Sequence, residues 1–337
     1  MISDVHDHSV GGTRFCLACN QERRFVAWVS YEDSRYAYTG HVQRCAVCGL
    51  GQTWPVPDEH VLTAAYADNY YAYQNMPGDR NVAALKFLKQ RVGHLTRPER
   101  WADLKLTAIE WTAGRPIPLK YRLPLMLDTR SRVLDYGCGQ GHYLYLLNEI
   151  GFKQLAGFDV VVNSAVRQNL PSIDFRYAPS ITEAGFEPAS FDLISLIHTL
   201  EHVPNPVQCL RELGVLLAPE GYMVIEVPNI ASWVSQRSPA TFPSLMLPFH
   251  LWHFTPEAIV RLAGLAGWQT VKVKTTFTYQ IAQQGLRWVA RLTQSRLGQD
   301  LLGRAGLILA AARLGTEVSI MLTKNVPERM QTDSRPT

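Results

Sequence analysis

Three sets of residues in this chain have types and spacings that could do chemistry. The first is Val133-Leu134-Asp135-Tyr136-Gly137-Cys138-Gly139-Gln140-Gly141, where an apolar run reaches an acid, passes through Gly-x-Gly-x-Gly and enters the helical pattern of His142 to Leu147. Glycines at Gly137, Gly139 and Gly141 let a strand turn sharply into a helix and leave bare backbone against which a ligand can lie. Asp159 closes the next apolar run, Gly157-Phe158-Asp159, about 20 residues on, where a carboxylate can accept from both ribose hydroxyls of an adenosine ligand. Dinucleotide enzymes use a similar turn, so the glycines alone do not choose the ligand. Asp135 does: a carboxylate beside the turn repels a pyrophosphate but holds a cationic amino-acid group.

The second set is Cys16-x-x-Cys19 with Cys45-x-x-Cys48. Four thiolates on two knuckles suit tetrahedral Zn²⁺, and Gly49 lets the backbone amides of its knuckle turn toward sulfur. The 25 residues between the pairs exceed the usual spacing of about 15–20. Redox thiols and unpaired core cysteines are the other readings. A closed four-thiolate site has no open position for substrate, so a metal here folds the segment and does not catalyse. Cys138 and Cys209 read as small buried residues.

The third set is histidine-rich. His198, Glu201 and His202 follow the apolar run Phe191 to Ile197, and His250 and His253 lie in Pro248-Phe249-His250-Leu251-Trp252-His253-Phe254-Thr255-Pro256. Imidazoles titrate near neutrality and suit removal of a proton from a hydroxyl or an activated carbon, although any single one of them can also be structural.

The elements that must position these groups are legible in the periodicity. Residues 1–57 carry short strand-like stretches between the cysteine pairs, at Phe25 to Val29 and Tyr36 to Tyr38, as in a metal ribbon. Residues 58–127 read as a helical linker, with Val82, Leu85, Leu88 and Val92 at helical spacing. From 128 to 325, strand-like runs at Arg132–Tyr136, Leu155–Val161, Phe191–Ile197, Tyr222–Val227 and Thr270–Thr275 alternate with helical patterns and predict an α/β doubly wound sheet. Asn205 with Pro206, and Thr255 with Pro256, have the form of helix starts. An Arg-dotted helical insertion at about 276–315 (Leu286, Trp288, Val289, Leu292) precedes a last strand at Glu317–Leu322, and 326–337 reads as a disordered tail.

Composition narrows the classes. The chain has 337 residues, 47% of them hydrophobic, and a formal charge of only +4 spread along its length, which supplies no case for nucleic acid and fits a small-molecule substrate. No apolar stretch nears the roughly 18 residues of a membrane span, and the first residues lack the apolar core of a signal peptide, so a cytoplasmic location is expected. The apolar faces flanked by Arg in 276–315 are compatible with contact with a membrane surface, with a homodimer, or with packing on the core.

The blocks V-L-D-Y-G-C-G-Q-G, G-F-D, Phe191-Asp192-Leu193-Ile194 to Glu201-His202-Val203-Pro204-Asn205-Pro206, and Leu217-Ala218-Pro219-Glu220-Gly221-Tyr222 together resemble the class I S-adenosylmethionine (SAM) methyltransferases. The resemblance implies a Rossmann-like seven-stranded sheet and a SAM site. In it Asp135, Gly137 and Gly139 line the methionine portion, Gly141 belongs to the same cofactor-binding turn, Asp159 binds the ribose, and His198 and Leu200 face the sulfonium or the acceptor. The usual adenine-contacting acid has no counterpart in Asp174 to Pro179. With its cysteine ribbon ahead of such a domain, the chain is similar to sugar C-methyltransferases of polysaccharide and secondary-metabolite pathways, which implies structural zinc, a sugar-nucleotide-like acceptor, and His253 and His202 as the leading catalytic pair. Tyr70, Tyr71 and Tyr73 look like the tyrosines that cover the cleft in that group. A non-catalytic SAM-fold module that recruits a partner through the ribbon is the alternative function. An NAD oxidoreductase would leave Asp135 unexplained.

Overall fold

The central strands are apolar on both faces. Val133, Leu193 and Val224 pack on one side with Leu123, Leu144 and Phe152, whereas their neighbours Leu134, Ile194 and Ile225 pack on the other with Leu210, Leu213, Ile259 and Leu262. A sheet with no wet face has to be covered by helices on both sides. The computed structural model, which describes residues 2–4, 12–67, 79–92, 106–110, 117–162, 164–277 and 295–324, shows that arrangement.

The sheet comprises β6 (Arg132–Tyr136), β7 (Gln154–Asp159), β8 (Asp174–Tyr177), β9 (Phe191–Ile197), β10 (Leu217–Pro228), β12 (Gln269–Thr276) and β13 (Glu317–Thr323). Its order is β12-β13-β10-β9-β6-β7-β8, parallel from β10 to β8 and antiparallel where β13 inserts between β10 and β12. This is a Rossmann-like α/β fold. The order reverses between β6 and β9, so the carboxyl ends of those two strands flank the crevice where such sheets take ligands. β7 ends at Asp159, two residues before the run expected from sequence, because the Asp159 carboxylate accepts from Val161 N at 3.0 Å and turns the chain.

A second sheet of six strands is built from β1 (Ile2–Asp4), β2 (Gly12–Cys16), β3 (Gln21–Asp33), β4 (Tyr38–Cys45), β5 (Gly51–Trp54) and, from far along the chain, β11 (Trp252–His253). Phe25 to Val29 lies within β3 as read from sequence. Tyr36 and Ala37 do not join a strand: Ala37, at φ +48°, closes the β3–β4 reversal with its amide on Ser34 O, and β4 begins at Tyr38.

The two helix starts expected from the sequence are capped by side chains. Asn205 Oδ1 accepts from Gln208 N at the head of helix Pro206–Leu216, and Thr255 Oγ1 accepts from Ala258 N at the head of Pro256–Leu265. Residues 58–127 contain helices Glu59–Ala67, Asp79–Val92, 106–110 and Leu119–Met126. Lys89 Nζ donates to the carbonyls of Pro124, Leu125 and Leu127, covering the end of the last helix, which Pro124 interrupts. Tyr70, Tyr71 and Tyr73, residues 278–294 with Leu286, Trp288, Val289 and Leu292, and the 326–337 tail lie outside the described residues. Helix Arg296–Ala311 precedes β13 and exposes Leu301 and Ile308. No helix among the described residues is long and apolar enough to cross a membrane.

A buried charge cluster ties the 106–110 helix to the sheet. Glu110, 5% exposed, accepts from Ile117 N and Lys274 Nζ and lies 3.3 Å from Arg122 Nη2, itself only 2% exposed. Removing one partner of such a set strands the other charges in the core, at about 3–5 kcal/mol. Glu110→Ala should therefore lower unfolding free energy by about 3 kcal/mol or more in urea melts. A loss below about 1 kcal/mol would mean that Arg122 and Lys274 find water instead.

Candidate functional site

The turn after β6 works because its glycines occupy backbone states other residues avoid. Gly137, Gly139 and Gly141 have φ of +74°, +49° and +69°. A Cβ on Gly137 would meet Thr199 Cγ2 at 2.3 Å, whereas a Cβ on Gly139 would meet nothing within 4 Å, so the backbone at Gly139 faces open space. The amides of Gly137 and Cys138 both donate to Phe158 O, at 2.8 and 3.0 Å, pinning the turn to β7. Asp159 Oδ2 accepts from Gly139 N at 2.9 Å, which brings the acid of β7 directly over the glycine turn of β6.

Asp135, at the end of β6, is 4% exposed and accepts from Ser195 Oγ at 2.7 Å. Burial pushes its carboxyl up to about 7, against the pull of the Ser195 hydrogen bond. Burial also raises Asp159, opposed by the amides of Val161 and Gly139. A cation arriving beside these acids would favour the ionised form of each.

Along the same edge, His198 follows β9 at φ +52°, its amide on Glu226 O at 2.8 Å. Its imidazole is ringed by buried carboxylates: Glu201 at 3.6 Å, Glu226 at 3.8 Å and Glu317 at 3.9 Å. Burial disfavours its charge, but Glu317 and Glu201 outweigh that and push His198 up to about 9. Lys120 Nζ completes the ring with Glu226 Oε1 at 2.6 Å. Glu317 is present because β13 runs antiparallel and so starts where its parallel neighbours end.

His202, on the short helical turn Leu200–His202, is the second imidazole of the cleft. Its Nδ1 lies 3.0 Å from Phe249 O and 3.1 Å from Tyr66 Oη. The carbonyl can only accept, which assigns the ring proton to Nδ1 and the lone pair to Nε2. Burial lowers His202, so the neutral ring dominates at pH 7. The His250 ring stands edge-on to it with centroids 4.6 Å apart. His253, 2% exposed, sits on β11 with Nε2 at 3.0 Å from Thr53 Oγ1, and burial pushes it down to about 3. Leu200 is fully buried in the apolar core.

Among the described residues, two groups could hold a metal. Ligand atoms of Cys16, Cys19, Cys45 and Cys48 all lie within 4.8 Å of one another, with Cys16 Sγ to Cys48 Sγ at 3.5 Å and Cys19 Sγ to Cys45 Sγ at 3.9 Å. Four sulfurs about 2.3 Å from a tetrahedral Zn²⁺ stand about 3.8 Å apart, so the set matches such an ion. Val47 N points at Cys45 Sγ at 3.5 Å, as a knuckle amide should. Glu201, His202 and His250 also meet within 4.8 Å, and among the described residues neither oxygen of the buried Glu201 carboxylate has a hydrogen-bond partner.

Sequence reasoning missed Glu226, Glu317, Lys120 and Tyr66. Glu226 had a signal, an acid inside the apolar run Tyr222–Val227. The other three are distant in sequence and carry none.

The amino-acid sequence is similar to that of known methyltransferases. Residues 108–273 match the family model described as a methyltransferase domain. The chain is 28% identical over 184 residues to a ubiquinone biosynthesis O-methyltransferase of Xanthomonas euvesicatoria pv. vesicatoria, covering 50% of this chain and 73% of that protein. It is 30% identical over 149 residues to the protein of the same name from Xanthomonas campestris pv. campestris, covering 42% of this chain and 59% of the relative. Among solved structures, an S-adenosylmethionine-dependent methyltransferase from Mesorhizobium loti aligns with 63% of this chain and 96% of its own at 17% identity and a TM-score of 0.41. The matched span contains the turn, both acids and the β9 edge, and with it this chain carries a class I SAM-dependent methyltransferase domain, the domain of an enzyme.

Proposed function

We propose that the protein transfers the methyl group of SAM to a small acceptor, a sugar nucleotide or another glycan or secondary-metabolite precursor, at oxygen or carbon. The observation that carries this reading is that Asp159 accepts from Gly139 N over the open backbone of the glycine turn, with the buried Asp135 on the adjoining strand β6. Asp135 would hold the ammonium group of SAM and Asp159, exchanging its bond to Gly139 N, the ribose hydroxyls. The O-methyltransferase names of the relatives support oxygen as the acceptor atom.

Methyl transfer from a sulfonium is an in-line displacement: the acceptor atom bonds to the methyl carbon as the carbon–sulfur bond breaks, and the acceptor proton must go to a base. In this reading His202 is that base, since it is neutral with its lone pair on Nε2, while His198 is charged and orients the acceptor. His253, engaged with Thr53, braces the loop. Zinc, held by Cys16, Cys19, Cys45 and Cys48, would supply only fold stability, because four thiolates close its coordination. A non-catalytic SAM-fold module would bind the nucleoside without turnover.

Titration calorimetry with S-adenosylhomocysteine tests the nucleoside site. Because the ligand ammonium needs an ionised Asp135, whose free-state value is about 7, affinity should rise as pH increases through 7 and fall below it. Asp135→Asn should cost roughly tenfold or more and flatten that pH dependence; absence of binding heat in the parent protein ends the SAM reading. His202→Gln should keep the affinity within about twofold yet cut methyl incorporation, read by mass spectrometry across nucleotide sugars and phenols, by roughly 10²–10⁴-fold; undiminished incorporation would assign the base elsewhere. In NMR titrations His198 should show a midpoint near 9, which Glu317→Gln moves toward the ordinary histidine range, and an unmoved midpoint would remove Glu317 from the ring.

A further inference from the structure

The six-stranded sheet ends in a strand from far along the chain, and that strand carries His253, three residues after His250. β11 pairs antiparallel with β5, Trp252 opposite Gln52 and His253 opposite Gly51. A pair of two residues does not persist on its own and needs its partner strand held in place. β5 is held by β4 and by the second cysteine knuckle. Cys45 N donates to Leu50 O at 2.9 Å, and Gly49 N donates to Cys45 O at 3.0 Å.

From this knuckle a continuous set of contacts reaches the acceptor side of the cleft. Thr255 Oγ1 donates to Cys48 O at 2.9 Å while capping helix Pro256–Leu265. Gly49 and Gly51 allow the approach: a Cβ on the first would meet Thr255 Cγ2 at 2.9 Å, and one on the second would meet His253 Cβ at 2.9 Å. Thr53 does most. Its amide donates to Leu251 O at 3.0 Å, and its hydroxyl donates to His250 O at 2.6 Å and lies 3.0 Å from His253 Nε2. Leu251 N in turn donates to Glu201 O at 2.9 Å, next to His202. Cys16, Cys45, Cys48 and Leu50 share one apolar cluster with Leu251, Trp252 and Phe254.

We propose that the four-cysteine knuckle, acting through β5 and Thr53, positions the loop 246–254 against Glu201 and His202, so that a bound metal orders the acceptor side of the cleft and leaves the nucleoside side unchanged. The proposal rests on the reading of the knuckle as a metal site and of the cleft as a methyltransferase site. The nucleoside turn has separate support, because its amides bond to β7. A ribbon this small does not hold its shape by core packing alone, so losing the metal should loosen β5 first and the loop with it. His250, His253 and Thr53 thus act as positioning residues, reaching the acceptor only through His202.

The test uses the full chain and needs no acceptor. Metal content is measured, metal is stripped with dipicolinate, and amide hydrogen exchange is followed by mass spectrometry in peptides spanning 246–254 and 135–142, with S-adenosylhomocysteine affinity by calorimetry. The metal-free protein should exchange roughly tenfold faster in 246–254, with 135–142 and the affinity changed by less than about twofold. Thr53→Val, which removes the hydroxyl and keeps the volume, should retain its metal and still exchange faster in 246–254. Protein that purifies without metal, equal exchange with and without metal, an unchanged Thr53→Val loop, or loss of nucleoside affinity together with the loop each overturns the proposal. Faster exchange in a protein that never binds the nucleoside would leave the positioning intact and overturn the methyltransferase reading instead.

Discussion

Two amides and one carbonyl organise the catalytic domain. Gly137 N and Cys138 N both donate to Phe158 O, so the chain leaving β6 is fastened to β7 before its helix begins. The bond pair demands left-handed backbone at Gly137, where any side chain would strike Thr199. With that turn fixed, Asp159 accepts from Gly139 N across the turn, and Asp135 stands on the adjacent strand bonded to Ser195. A side chain at these glycines would fill or distort the place a nucleoside needs.

On the other side of the crevice the constraint is electrostatic. Glu201, Glu226 and Glu317 are all nearly inaccessible to water, and carboxylates are not buried together without compensation. Lys120 and a charged His198 supply it, which makes this edge of the sheet a polar ring on an apolar frame. The two imidazoles next to each other in the chain segment 198–202 therefore differ in charge: carboxylates raise His198, whereas burial lowers His202. Under the proposed function, environments that push two titratable groups apart in this way would separate an orienting cation from a base.

The cysteine ribbon and the catalytic domain share a strand, a core cluster and the Thr53 bonds. The loop 246–254 is consequently held from two sides, by the ribbon at Thr53 and by the catalytic domain at Glu201 O and Val203 O, the latter accepting from Trp252 Nε1 at 3.1 Å. Neither domain alone contains the full set of contacts that places His250 beside His202.

Local chemistry made much of this legible in the amino-acid sequence. A Gly-x-Gly-x-Gly turn behind an apolar run, an acid at the end of the next run, Asn and Thr helix caps followed by proline, and paired Cys-x-x-Cys knuckles each express a constraint satisfied within a few residues. The strand order, the antiparallel β13 that delivers Glu317, the packing of Lys120 against Glu226, the ring of Tyr66 over His202, and the recruitment of Trp252–His253 into the ribbon sheet join residues from tens of positions to some two hundred apart. Which imidazole is charged, which is neutral and which is a brace depends on burial and on carboxylates brought in from other strands. Burial and through-space fields belong to the folded chain, so only the tertiary structure decides them.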